Sequence, residues 1–370
     1  MSRVPGEIST ERRLGVAVVG AGRWGKNLVR VFDSVERARL VSVCDVARAR
    51  LASLPANVDK TSDVTRLLVD PRVEAVVIAT PCDTHADVAV MSLEAGKHVF
   101  VEKPLALSVA DARRVLRAAH VADRRVMVGF VLHYHPAIEK LRHWIGNGVL
   151  GQVRAVLSVR SGPRGAAHEP GPWWSLAPHD VSTVRFLLGR EPHSVTVHPQ
   201  CAGSARLNAR LAFDGLIAEL SVGHESDGKV RRLVVVGTHG SALFDDTHTE
   251  RKLRLFDMTG DAARRLVRPE RELPALFPKV APKLPAREPL RLEAAHFVEA
   301  LLGGVPFRTD AAEGARVVEI LEAGQESLAA LGLPVSVASG TQKTPFGARE
   351  REDEGLPRST RDAELAGATG

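Results

Sequence analysis

The chain has 370 residues, 44% of them hydrophobic and 25% charged, with a formal net charge of +6. That is about two domains of ordinary composition, with ample material for a core, which excludes disorder of the whole chain. No window approaches the roughly 18 unbroken apolar residues that span a bilayer, so no membrane association is expected.

Residues 1–13 are polar, lack the apolar stretch of a secretory signal and read as a leader. Leu14–Val19 is an apolar run ending in a glycine cluster, the pattern of a buried parallel strand. Helices over 24–33, 63–69, 84–95 and 108–122 then alternate with strands over 40–44, 75–79, 98–101 and 126–129. That alternation predicts a doubly wound parallel sheet, a Rossmann domain over 14–130.

Beyond residue 130 the pattern changes. A helix over 136–145, a strand over 153–160 and an amphipathic piece over 181–188 come first. Strands over 194–198, 206–213, 216–222, 232–236 and 241–244 follow without helices between them, with a turn at Asp214-Gly215. They predict a mostly antiparallel sheet. Helices over 290–302 and 311–331 complete an α+β domain, 131–335, for substrate binding and oligomerisation. The proline-bearing stretch 269–289 reads as an irregular connection, and 336–370 as a disordered tail.

The strongest local signal is Gly20-Ala21-Gly22-Arg23-Trp24-Gly25, a G-x-G-x-x-G between a strand and a helix. Gly20 permits the tight turn, Gly22 lets backbone approach a pyrophosphate, and Gly25 allows close helix–strand packing. Asp45 lies at the end of the second strand, about 20 residues past Gly25, where a carboxylate bonds the adenosine ribose. Its charge favours NAD over NADP, although Arg48 lies close enough in sequence to turn toward a 2′-phosphate. The positive excess is small and scattered and only 4% of residues are aromatic, so nucleic acid is not an expected partner. An anionic small substrate suits the charge weakly.

Lys103 follows a buried strand at the carboxyl edge of the sheet, where such folds bind ligands. In Gly96-Lys97-His98-Val99 and Glu102-Lys103-Pro104, together with the glycine turn, Thr80-Pro81 and His85, the chain resembles the Gfo/Idh/MocA oxidoreductases. The segment Trp174-Ser175-Leu176-Ala177-Pro178-His179-Asp180 matches the histidine segment of that family. The resemblance spans roughly residues 14 to 335. In Gly22 to Arg30, His133-Tyr134-His135-Pro136-Ala137 and Leu176 to Asp180 it is similar to the nucleotide-sugar 3-dehydrogenases, which make a 3-keto sugar for a partner aminotransferase.

The resemblance implies that Lys103 holds the reacting hydroxyl and His179 takes its proton, with NAD as hydride acceptor. An imidazole suits that task near neutral pH. It also implies cofactor contacts from Arg23, Trp24, Thr80, Pro81, His85, Glu102 and Lys103, substrate-pocket roles for His135, Ser175 and Asp180, and a homodimer or homotetramer. Asp180 has a structural reading as well: with Pro178 at the first helical position it falls near the third, where a carboxylate favours the dipole. The family usually carries an aspartate four residues before the histidine; here that residue is Ser175, which supplies no charge to an imidazolium. The H-x-H pair His133/His135 has no further identifiable ligands, so no metal is expected. Cys44, Cys82 and Cys201 form no C-x-x-C pair and fit a reduced, cytoplasmic compartment. The expected activity is a sugar or nucleotide-sugar oxidoreductase. The alternatives are a ketoreductase or cyclitol dehydrogenase of secondary metabolism, and a silent cofactor-binding sensor.

Overall fold

The computed structural model describes residues 12–54, 56–163, 170–224, 228–267 and 278–337. Most of the leader, part of the proline-bearing stretch and nearly all of the expected tail lie outside these residues. The first sheet is built from β1 (Leu14–Val19), β2 (Ala38–Cys44), β3 (Asp59–Thr61), β4 (Ala75–Ile78), β5 (His98–Glu102) and β6 (Val126–Gly129). Every neighbouring pair is parallel, in the order β3-β2-β1-β4-β5-β6. The strands read as apolar runs because helices cover both faces. Val16, Val18 and Phe100 face helices Gly25–Ser34 and Pro289–Gly303, while Val19, Ile78 and Val101 face a core shared with His85–Glu94 and Val109–Ala122.

The helix Pro289–Gly303 departs from the sequence reading, which grouped it with the second domain. Phe297 packs edge-on against Phe32 and Phe100, ring centroids 6.1 and 5.6 Å away, so this late helix covers the first sheet. Its periodicity showed an apolar face but not which sheet would receive it.

The second sheet contains β7 (Val153–Gly162), β8 (Ser194–Pro199), β9 (Arg206–Phe213), β10 (Leu216–His224), β11 (Val230–Gly237), β12 (Ser241–Asp245), β13 (Leu253–Phe256) and β14 (Val335–Ser336). Its order is β13-β12-β11-β7-β10-β9-β8-β14, antiparallel except for β7 beside β10. Helices Ala177–Leu188 and Ala311–Ala329 share the core on its inner face. On the outer face, Gly260–Arg264 and the turn after it bury Ala263 and Leu266 against Leu157 and Val234.

The strands absent from the sequence reading are β3, β13 and β14. Asp59-Lys60-Thr61 has no apolar residue, and β14 is two residues long; edge pairing alone makes them strands. β13 is a short edge strand flanked by charged residues.

Candidate active site

The glycine turn lies at the carboxyl edge between β1 and β4, where the strand order reverses and open α/β sheets bind ligands. Each glycine has a distinct reason. A Cβ on Gly20, whose φ is +98°, would sit 2.5 Å from the Ala79 carbonyl oxygen. On Gly25 it would sit 2.0 Å from the Gly20 carbonyl oxygen. On Gly22 it would meet nothing within 4 Å, so that glycine is not required by packing. Open space over the turn, at the start of a helix, fits a dinucleotide pyrophosphate. Gly22→Val should therefore abolish NAD binding while leaving the thermal midpoint nearly unchanged, whereas Gly20→Val should lower it. Retained NAD affinity in a folded Gly22→Val protein would contradict this use of the turn.

Asp45 is buried beside the turn. Its Oδ2 accepts from the Ala21 N–H at 2.7 Å and its Oδ1 from the Ala47 N–H at 2.8 Å. The guanidinium near it belongs to Arg50, 3.4 Å away, and not to Arg48, which turns to Ser62. Thr80 follows β4 and abuts Gly20. Pro81 leads into the short turn that carries Thr84 back to the Thr80 hydroxyl.

His85 is buried, and its ring spans two loops: Nδ1 is 2.7 Å from the Pro104 carbonyl oxygen and Nε2 is 3.1 Å from that of Thr80. A neutral imidazole donates to only one of them, and burial lowers its pKa. Both ring nitrogens are thus engaged with backbone, and the ring positions the loop bearing Lys103. Arg23 and Trp24 stand exposed at the tip of the glycine turn, and the Trp24 indole N–H donates to Glu102 Oε1 at 2.5 Å.

Lys103 reaches across to the second half of the chain, its Nζ donating to the Ser175 carbonyl oxygen at 3.0 Å. Ser175 ends the short helix Pro172–Ser175, anchored by Trp173, whose indole N–H donates to Leu321 O at 2.7 Å. The Ser175 hydroxyl bonds Gly171 O and lies 3.1 Å from His224 Nε2. It makes no hydrogen bond to His179, and Ser175 and His179 lie on either side of a break between two helices.

His179 occupies the first turn of Ala177–Leu188 and lines a cleft of about 540 Å³ together with Trp24, His135, Arg160, Arg231 and Asp246. Its ring makes no hydrogen bond among the described residues. Burial, and then the charges of Lys103, Arg160 and Arg231, hold its pKa well below 6.5, so it is a neutral base at pH 7.

Asp180 stands in the first helical turn, as the sequence reading has it, and its side chain is also turned inward, accepting from Arg160 Nε at 2.8 Å, from a second Arg160 nitrogen at 3.0 Å, and from the Ser158 hydroxyl at 2.8 Å. Its role is to hold Arg160 in the cleft.

The H-x-H pair diverges. His133 is stacked 4.3 Å from Phe186 and buried, while His135 Nδ1 caps helix Pro136–Gly146 and its Nε2 points to Asp246 at 3.5 Å. Burial disfavours the Asp246 carboxylate, but His135 and Lys252 more than offset that and keep it below the usual range. Arg160, Arg231, Asp246 and Lys252 were not singled out in the sequence, where they are ordinary charges on strands and turns.

The family model for the NAD-binding Rossmann domain of the oxidoreductase family matches residues 14–130, and the model for the Gfo/Idh/MocA C-terminal domain matches 138–243. The scyllo-inositol 2-dehydrogenase (NAD(+)) of Bacillus subtilis strain 168 is 30% identical over 254 residues, 62% of this chain and 73% of that protein. This chain belongs to the Gfo/Idh/MocA oxidoreductase family. Inositol 2-dehydrogenase 1 of Saccharopolyspora erythraea is 35% identical over 211 residues, 55% of this chain and 62% of that protein. The crystal structure of GenD2 from gentamicin A biosynthesis in complex with NAD has a TM-score of 0.74 at 26% identity, covering 91% of this chain and all of that one. The chain spans about half the length of other curated relatives that it matches.

Within this Gfo/Idh/MocA chain a second carboxyl lies behind Glu102. Glu293, from helix Pro289–Gly303, is fully buried, and neither of its oxygens has a hydrogen-bond partner among the described residues. Burial, and then the charge of Glu102, push its pKa well above 4.5. Burial likewise pushes Glu102 up to about 7, against the opposing pull of Trp24 and Lys103.

Folded Glu293 keeps its proton above pH 4.5, where the unfolded chain gives it up. Unfolding then releases a proton, and stability falls as pH rises, by up to about 1.4 kcal/mol per unit for one group. Glu293→Gln should remove this slope. Its thermal midpoint should exceed that of the parent at pH 7.5, and the two should converge near pH 4.5; a lower midpoint at pH 7.5 would count against a neutral Glu293.

Proposed function

We propose that this protein is an NAD-dependent oxidoreductase acting on a secondary alcohol, or the matching ketone, of a sugar or cyclitol. The observation that carries the proposal is a neutral imidazole, His179, beside the ammonium of Lys103 at the mouth of a dinucleotide site. The Lys103 ammonium donates a hydrogen bond to the reacting oxygen and favours its anionic form. His179 accepts the hydroxyl proton in oxidation and returns it in reduction. Bound NAD supplies the hydride acceptor. The backbone of the glycine turn holds the pyrophosphate and Asp45 the adenosine ribose. Trp24 and Glu102, bonded to each other, line the path toward the nicotinamide. Asp45 disfavours a 2′-phosphate, so NAD should bind more tightly than NADP; equal affinities would contradict that role.

The finer reading is oxidation of a nucleotide sugar at C3, ahead of an aminotransferase. It rests on the motif resemblance at Gly22 to Arg30, His133 to Ala137 and Leu176 to Asp180, and on a cleft wide enough for more than one ring. A panel of cyclitols, free sugars and nucleotide sugars, followed by nicotinamide absorbance, tests both levels. Turnover of cyclitols alone would remove the nucleotide-sugar reading, and no turnover of any member would remove the sugar reading.

Assembly follows from the second sheet. The outer face of β8, β9 and β10 carries Thr196, His198, Asn208, Arg210, Glu219 and Ser221 along a shallow groove with little helical cover. A second copy covering this face would make a homodimer or homotetramer. A monomer in light scattering at micromolar concentration would defeat the idea.

A further inference from the structure

Arg160 on β7 and Arg231 on β11 are direct cross-strand partners. Together with His179, from the first turn of helix Ala177–Leu188, their side chains line one cleft. Like charges placed opposite each other on neighbouring strands destabilise a sheet. Asp180 neutralises Arg160 one for one, buried and bidentate.

Among the described residues Arg231 has no equivalent, and the nearest carboxylate oxygen there, on Asp246, is 4.0 Å away. Asp246 also bonds Lys252 at 3.0 Å and lies 3.5 Å from His135. Burial and then the charge of Arg160 pull the Arg231 pKa down, with Arg23 on the glycine turn adding to this, and the opposing charges of Asp246 and Asp180 do not fully offset them. An under-compensated guanidinium that solvent can reach, beside a proton acceptor, is suited to pair with an anion that arrives with the substrate. The planar guanidinium fork matches carboxylate and phosphate oxygens.

We propose that Arg231, supported by the Arg160–Asp180 pair, binds an anionic group of the substrate next to the carbon that His179 serves. The placement at His179 rests on the function proposed above. The substrate class is then acidic sugars: a hexuronate through its carboxylate, or a sugar phosphate or nucleotide sugar through its phosphate.

Calorimetric titration of the NADH-loaded full chain with glucose, glucuronate, glucose 6-phosphate and UDP-glucose tests this. At least one anionic ligand should bind about tenfold or more tightly than glucose. Arg231→Gln should erase that margin with glucose binding unchanged. A margin led by glucuronate assigns a carboxylate; one led by either phosphate ligand assigns a phosphate. In the parent protein alone, the margin should shrink as sodium chloride is raised. No margin over glucose, a margin that survives Arg231→Gln or is insensitive to salt, or a loss of NADH affinity in Arg231→Gln would each overturn the proposal. An Arg231-dependent margin with no NADH formed when the same ligands are offered to the NAD-loaded chain would sink the oxidoreductase reading and leave the anion site standing.

Discussion

Lys103→Ala and His179→Ala should each lower turnover by about 10²-fold or more, the usual scale for losing a positioned acid or base, while NAD affinity stays within a few fold. The pH dependence adds a second readout. His179 acts in its neutral form, and burial with Lys103, Arg160 and Arg231 around it places its protonation well below 6.5. The acid limb of the rate profile should therefore lie well below pH 6.5, with a plateau through neutrality. Lys103→Ala removes one of the charges that lower the His179 pKa, so the residual rate should show an acid limb moved upward. Full turnover in His179→Ala, or an acid limb that stays fixed in Lys103→Ala, would remove the pair from the chemistry.

The parallel sheet was legible because every strand but β3 is mostly apolar and because its glycine turn has steric reasons for each glycine. Gly20 and Gly25 are fixed by backbone contacts, and Gly22 by the space it leaves open. Lys103 and His179 were legible through motif resemblance, since nothing in periodicity distinguishes them from other lysines and histidines. What the chain did not disclose is pairing across long separations. Asp180 looks like a helix-start carboxylate until β7 brings Arg160 against it. Arg231 looks like one of several basic strand residues until the β7–β11 register sets it opposite Arg160. Glu293 looks like a helical surface charge until its helix turns back onto the first sheet. Each depends on which elements become neighbours, and hydrophobic patterning constrains that only loosely.

The largest effect on stability should come from Asp180→Ala. The Arg160 guanidinium is buried, and Asp180 supplies both oxygens that its fork meets. Removing that carboxylate leaves a buried cation directly opposite Arg231, a second cation. Losing one member of a buried pair typically costs about 3–5 kcal/mol, because the remaining charge cannot regain its hydration. The Ser158 hydroxyl loses its Asp180 acceptor at the same time and keeps only the Arg232 carbonyl oxygen, 3.1 Å away. Asp180→Asn should be nearly as damaging, since an amide keeps the shape but restores no charge. The double variant Asp180→Leu with Arg160→Met should recover much of the loss, because apolar residues of similar volume replace a buried pair at little net cost. Urea unfolding of the parent, Asp180→Leu, Arg160→Met and the double variant checks the cycle. Additive losses in the double variant would mean that Asp180 stabilises the fold through something other than Arg160. Substrate affinity in the double variant should fall as well, because Arg160 no longer supports Arg231 in the cleft. Unchanged affinity beside recovered stability would confine Asp180 and Arg160 to a purely structural part.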